Sequence, residues 1–139
     1  MTKVKYNPSW SLNAFLLLEA QGSIDKPPDF PEYDSTKDWC GPEDNERLAS
    51  MIPDAIMGVP VSIAGYRHDL GYATPRAMRP KWARAQYIWR LLCDQRFRKD
   101  LMTLLDRVKL SKDDMKMAKR FAKLYYWSVR VGGSEHCVK

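Results

Sequence analysis

Six of the nine prolines fall between residues 23 and 60 (Pro27, Pro28, Pro31, Pro42, Pro53 and Pro60), and they divide the chain into two regimes. Proline has no backbone N–H and its ring clashes with the preceding helical turn, so no long helix or central strand runs through that stretch. It reads as a long loop, with short helical turns around residues 45–51, and long loops inside compact domains usually carry function. Helical patterning dominates elsewhere. Residues 9–21 predict a first helix, capped by Ser9 or Ser11, with Ala14, Leu17 and Leu18 on one face and Gly22 ending it. A second spans residues 61–73, with Ser62 as cap and Pro75 breaking the chain. A third begins near Pro80 and carries Trp82, Ala85, Trp89, Leu92, Phe97, Leu101, Leu104 and Leu105 at three- and four-residue spacing. The last starts at Ser111, whose hydroxyl and Asp114 form a capping-box-like pair. It buries Ala118, Phe121, Ala122, Tyr125 and Val129 and stops at Gly132 and Gly133. No stretch alternates as a strand. The expected fold is all-α: a core of three to four helices with a long Pro-rich N-terminal loop. Residues 1–60 supply the first helix and the loop, and residues 61–132 the helical core, of a single domain over 1–139.

With 139 residues, of which 45% are hydrophobic and 29% charged, the chain has room for one globular domain. No apolar run reaches the roughly 20 residues that span a bilayer, and Asn13 and Glu19 spoil residues 12–18 as a signal peptide. Three cysteines do not make a disulfide scaffold. A reducing, cytoplasmic location is expected. The net charge of +6 hides an asymmetry: residues 1–72 carry 6 Lys and Arg against 11 Asp and Glu, while residues 73–139 carry 17 against 6. The halves therefore attract each other, or the second presents a basic face to an anionic partner; solvated helix faces are the plainer alternative.

Chemistry concentrates in Ile63-Ala64-Gly65-Tyr66-Arg67-His68-Asp69-Leu70-Gly71-Tyr72. On a helix His68 and Tyr72 share a face, whereas Asp69 is rotated about 100° away. His68 is therefore suited to handle a proton and Asp69 to bind a cation. An imidazole acting as a base needs an acid to hold its tautomer, and Asp94 qualifies because it sits among Leu91, Leu92, Cys93 and Phe97, where an unpaired carboxylate is costly. Two antiparallel helices would set Asp94 against His68, with Tyr72 donating to the same carboxylate; the alternative has Asp94 facing solvent beside Arg90 and Arg98. Asp38-Trp39-Cys40-Gly41-Pro42-Glu43-Asp44 contains a turn at Gly41 that could offer the carbonyls of Trp39, Gly41 and Glu43 to a calcium ion shared with Asp69. The Gly41 amide would then serve as an oxyanion donor. Cys40, Cys93, Cys137 and His136 match no zinc-ligand spacing, and nothing marks Cys40 or Cys93 as an activated nucleophile.

Arg67-His68-Asp69-Leu70-Gly71-Tyr72 resembles the His-Asp-x-x-Tyr signature of phospholipase A(2), in particular bacterial and fungal members reading Arg-His-Asp-Phe-Gly-Tyr. Trp39-Cys40-Gly41-Pro42-Glu43 is similar to the calcium loop of that superfamily, and Leu92-Cys93-Asp94-Gln95-Arg96-Phe97 with Asp100-Leu101 to the helix supplying its second aspartate. The resemblance implies His68 as general base, Asp69 as calcium ligand, Asp94 as the histidine's partner and Tyr72 as a supporting donor. Leu48-Ala49-Ser50-Met51-Ile52-Pro53, the His-Asp string, the segment from Asp94 to Phe97, and the run from Tyr125 to Gly132 also resemble small phage proteins without an established role. Together the matches cover residues 38–132 and suggest a prophage origin. The chain departs from the phospholipase pattern in three places: Cys40 and His68 are 28 residues apart, longer than is usual there, Ala64 and Gly65 stand where a cysteine often sits, and Glu43 replaces a second loop glycine.

The function expected on these grounds is calcium-dependent hydrolysis of a phospholipid ester, at an anionic membrane surface, with an apolar rim from Trp10 and residues 16–18. The alternative is a non-catalytic phage structural or assembly protein, contacting virion components, that keeps the His-Asp-x-x-Tyr helix as architecture. Nucleic-acid binding by the basic half ranks third, because no nucleic-acid module is visible.

Overall fold

The computed structural model describes residues 2–34, 55–78 and 83–132. Among these residues it is mostly helical, with α1 at Leu12–Ala20, α2 at Ser62–Met78, α3 at Ala83–Asp106 and α4 at Lys112–Gly132. Two small sheets qualify the all-α expectation. β1 (Val4–Lys5) pairs in parallel with β2 (Ile24–Asp25), and β3 (Ala55–Ile56) pairs antiparallel with β4 (Val59–Pro60). Residues 55–60, read above as loop, thus form a hairpin. Its turn residues Met57 and Gly58 have φ of 52° and 80°, the left-handed pair that a two-residue type I′ turn requires. Both hairpin side chains that face inward, Ile56 and Val59, are buried.

Ser11, not Ser9, caps α1, its Oγ accepting from the Ala14 amide at 3.1 Å. Gly22 ends the helix with φ of 65°, while the amides of Gly22 and Ser23 close back on the carbonyls of Glu19 and Leu18, the paired bonds of a Schellman stop. The buried face of α1 is Leu12 and Phe15; Leu17, expected inside, is 60% exposed. On α4, Ser111 Oγ accepts from the Asp114 amide, and Asp113 and Asp114 in the first turn suit the positive end of the helix dipole. Ala118, Ala122 and Tyr125 are buried as read, and Val129 is partly so, but Phe121 points outward. Leu92 on α3 is likewise exposed, whereas Phe97, Leu101 and Leu105 form the core with them. Pro80 and Trp82 lie outside the described residues.

α2 departs most from expectation. Ser62 is its first residue rather than its cap, and its hydroxyl bonds the Tyr33 hydroxyl at 2.5 Å. The helix also runs through Pro75 to Met78 instead of breaking. A proline in a helix leaves the carbonyl four residues earlier without its donor. Here that carbonyl is Gly71 O, and the indole Nε1–H of Trp89 on α3 donates to it at 2.7 Å. The neighbouring helix thus replaces the missing bond. Gly71 is needed on packing grounds as well, because a Cβ there would lie 2.7 Å from Cys93 Sγ. Pairings 67 with 100, 68 with 94 and 71 with 89 run in opposite senses, so α2 and α3 are antiparallel; 94 with 130 and 98 with 126 make α3 and α4 antiparallel too.

Arg67 fastens this helical core to the N-terminal segment. It is 1% exposed, and it donates from Nε to Tyr6 at 2.8 Å, from Nη2 to the Trp10 carbonyl at 2.6 Å, and from Nη1 to Asp100 at 3.2 and 3.3 Å. Its guanidinium also lies 4.9 Å from the Phe15 ring centroid. Burial pushes Asp100 up to about 6 against the opposing pull of Arg67 and Arg96, and burial raises the Tyr6 hydroxyl as well. A second tie runs through Lys26, which bonds both Glu19 Oε1 and the Tyr66 hydroxyl at 2.7 Å.

Candidate active site

Helical spacing places His68 and Tyr72 one turn apart on α2, and the antiparallel neighbour brings Asp94 of α3 to both. His68 Nε2 is 2.7 Å from Asp94 Oδ1, and the Tyr72 hydroxyl donates to the same oxygen at 2.5 Å. Asp94 is fully buried, which rules out the solvent-facing alternative, and Arg98 instead lies over the Tyr126 ring. The His68 ring rests between Tyr72 and Phe97, with ring centroids 4.2 and 5.0 Å away.

A third donor comes from a distant part of the chain. Arg130, near the end of α4, donates from Nη1 to Asp94 Oδ2 at 2.7 Å, and its guanidinium lies over Tyr87. Burial works against the charge of Arg130, but the bond to Asp94 outweighs it and holds the guanidinium more firmly protonated. The buried carboxylate therefore has a full counter-charge on one oxygen and two neutral-capable donors on the other, which answers the cost of burying it. With Nε2–H donating to Asp94, the other ring nitrogen, Nδ1, is left as an acceptor, and it has no hydrogen-bond partner among the described residues. His68 is 8% exposed, so the ring has little contact with solvent. Chemically, this is an imidazole of fixed tautomer, backed by a carboxylate whose charge is already matched.

Asp69 follows His68 on α2 and is half-buried. Trp39, Gly41 and Glu43, expected as its partners around calcium, lie outside the described residues, as do Cys40, His136 and Cys137. Among the described residues no three His, Cys, Asp or Glu side chains cluster as a metal site. Cys93 is a buried thiol outside any disulfide, packed on Gly71. Arg90, one turn before Asp94, has a buried Nη1 without a hydrogen-bond partner among the described residues.

Sequence reasoning did not identify Arg130, Arg67 or Asp100. Asp100 carried a readable signal, since it falls on the Phe97, Leu101, Leu104 stripe where a charge demands a partner. Arg130 carried none, because its partner is 36 residues away. Comparisons with family models, curated proteins and solved structures find no match to this chain.

Proposed function

We propose that the protein hydrolyses a phospholipid ester in the manner of phospholipase A(2), with His68 as general base. The observation that carries this reading is Asp94 Oδ1 shared by His68 Nε2 and the Tyr72 hydroxyl, which fixes the imidazole with Nδ1 as its basic nitrogen. Nδ1 takes a proton from water as the water oxygen bonds to the ester carbonyl carbon. The tetrahedral species then collapses, the bond to the lysolipid oxygen breaks, and the proton on His68 passes to that oxygen. Asp94 stabilises the transient imidazolium, and Tyr72 and Arg130 hold Asp94 in place.

The donor set proposed for calcium, one carboxylate at Asp69 and the carbonyls of Trp39, Gly41 and Glu43, is all hard oxygen, which suits that ion. Bound there, calcium would supply charge to the ester oxygen and to the headgroup phosphate. Fatty-acid release from phosphatidylglycerol, measured with calcium and with chelator, tests the reading. His68→Asn should abolish release while the helical circular dichroism is unchanged, and Asp69→Asn should remove calcium binding in calorimetry. Near-wild-type release by His68→Asn sinks the mechanism.

One observation favours a second reading, a non-catalytic phage structural or assembly protein: the imidazole is 8% exposed, and its partner Asp94 is fully buried with donors on both oxygens. Under that reading His68→Asn changes stability and nothing else.

A further inference from the structure

We infer that the outward face of α4 docks on the surface of an anionic phospholipid bilayer. This names the surface on which the proposed hydrolysis would take place, and it rests on that reading. Opposite its buried stripe, α4 leaves Met117, Phe121, Leu124, Trp127 and Val131 exposed, from 38% at Phe121 to 81% at Val131. Their three-, four- and seven-residue spacings place them along one side of a 21-residue helix, an apolar stripe about 21 Å long. Isolated exposed apolar side chains are ordinary, but five in line are not.

The flank of this stripe selects the partner. Lys116, Lys119 and Lys123 are exposed, follow one another at three- and four-residue spacing beside the apolar row, and form no ion pair among the described residues. Arg120 adds a further charge, and α4 has no acidic residue after Asp114. A second copy of the chain meeting face to face would set these cations against each other. Nucleic acid would satisfy the lysines but leave Leu124 and Val131 unburied. An anionic bilayer satisfies both, since acyl chains take the apolar row while lysine stems reach up to the phosphates. Seven residues beyond Lys123 the same side of the helix carries Arg130, which reaches Asp94, so the docking face borders the His68 site.

The test is co-sedimentation of the full chain with vesicles of equal parts phosphatidylcholine and phosphatidylglycerol, and with pure phosphatidylcholine, in chelator so that calcium plays no part. The mixed vesicles should capture the protein roughly tenfold better than the neutral ones, and capture should weaken as salt rises. Leu124→Asp and Lys119→Glu/Lys123→Glu, all at exposed positions, should each lower capture roughly tenfold with unchanged circular dichroism. Absence of capture, or capture indifferent to Leu124→Asp, overturns the inference. So does a wild-type dimer that Leu124→Asp dissociates without any vesicle binding. His68→Asn should bind vesicles like wild type. Vesicle binding without ester hydrolysis supports the docking face and overturns the enzymatic reading. Hydrolysis of a dispersed short-chain phospholipid without vesicle binding does the reverse.

Discussion

Arg67 and His68 are consecutive residues of α2, and each meets a buried aspartate of α3, yet the two pairs are built for different ends. Arg67 and Asp100 are each 1% exposed, and the guanidinium spends its donors on Tyr6, Trp10 and Asp100, joining three separate parts of the chain. A guanidinium does not give up its proton, so this pair can only hold. His68 and Asp94 have the same depth of burial at the acid, but the partner is an imidazole with a second nitrogen not engaged by any described residue. The helix thus anchors itself at one residue and presents a proton-handling group at the next. The anchor and the second pair join the same two helices, at positions 100 and 94 of α3.

The sharpest way to break this contrast is Arg67→Met, which strands Asp100 in the core. It should cost about 3–5 kcal/mol in denaturant unfolding, while Arg67→Met/Asp100→Leu should recover much of that loss. If the single variant costs as little as an exposed substitution, Arg67 is no anchor. The second effect is one of pH. With Asp100 raised from 3.8 to about 6, the native state holds its proton more tightly than the unfolded chain between those values. This group's contribution to stability is therefore fully present below about pH 4 and lost as pH rises through 6, an effect of at most about 3 kcal/mol. Carboxyl NMR should find Asp100 titrating near 6, and Asp100→Asn should flatten the stability profile over that window.

Gly71→Ala acts on the other pair. Its methyl would collide with Cys93 Sγ, next in sequence to Asp94, and should cost about 1–3 kcal/mol by parting α2 from α3. Because Gly71 lies on the Asp94 side, imidazole spectra of His68 should change more than the signals of Tyr6. The smallest effect is expected of Arg130→Gln, about 1–2 kcal/mol, since Asp94 keeps its other donors. Its signature is spectroscopic: the ring resonances of His68 shift. With two histidines in the chain, the signal lost in His68→Asn assigns the ring directly.

What the sequence made legible follows from how local each cause is. The helices of residues 83–132 could be read because their apolar spacing repeats over several turns, and the His68, Tyr72 and Asp94 grouping because one turn of helix and one buried acid suffice to propose it. The β3–β4 hairpin could not, since a Met-Gly turn between two-residue strands lacks both the Asn-Gly signal and any alternation. Leu17 and Phe121 misled because a continuous apolar pattern does not say which of its members a neighbour covers. The two arginines were hidden by distance along the chain, 33 residues to Asp100 and 36 to Asp94.

The proline inside α2 carries a consequence for substitution. Pro75 leaves the Gly71 carbonyl without its helical donor, and Trp89 supplies one from another helix, so two residues fourteen apart are tied to one acceptor. Replacing Pro75 alone restores an amide rival to the indole, and replacing Trp89 alone leaves an oxygen bare. The two positions should consequently behave as one unit under mutation, with the double change milder than the sum of its parts.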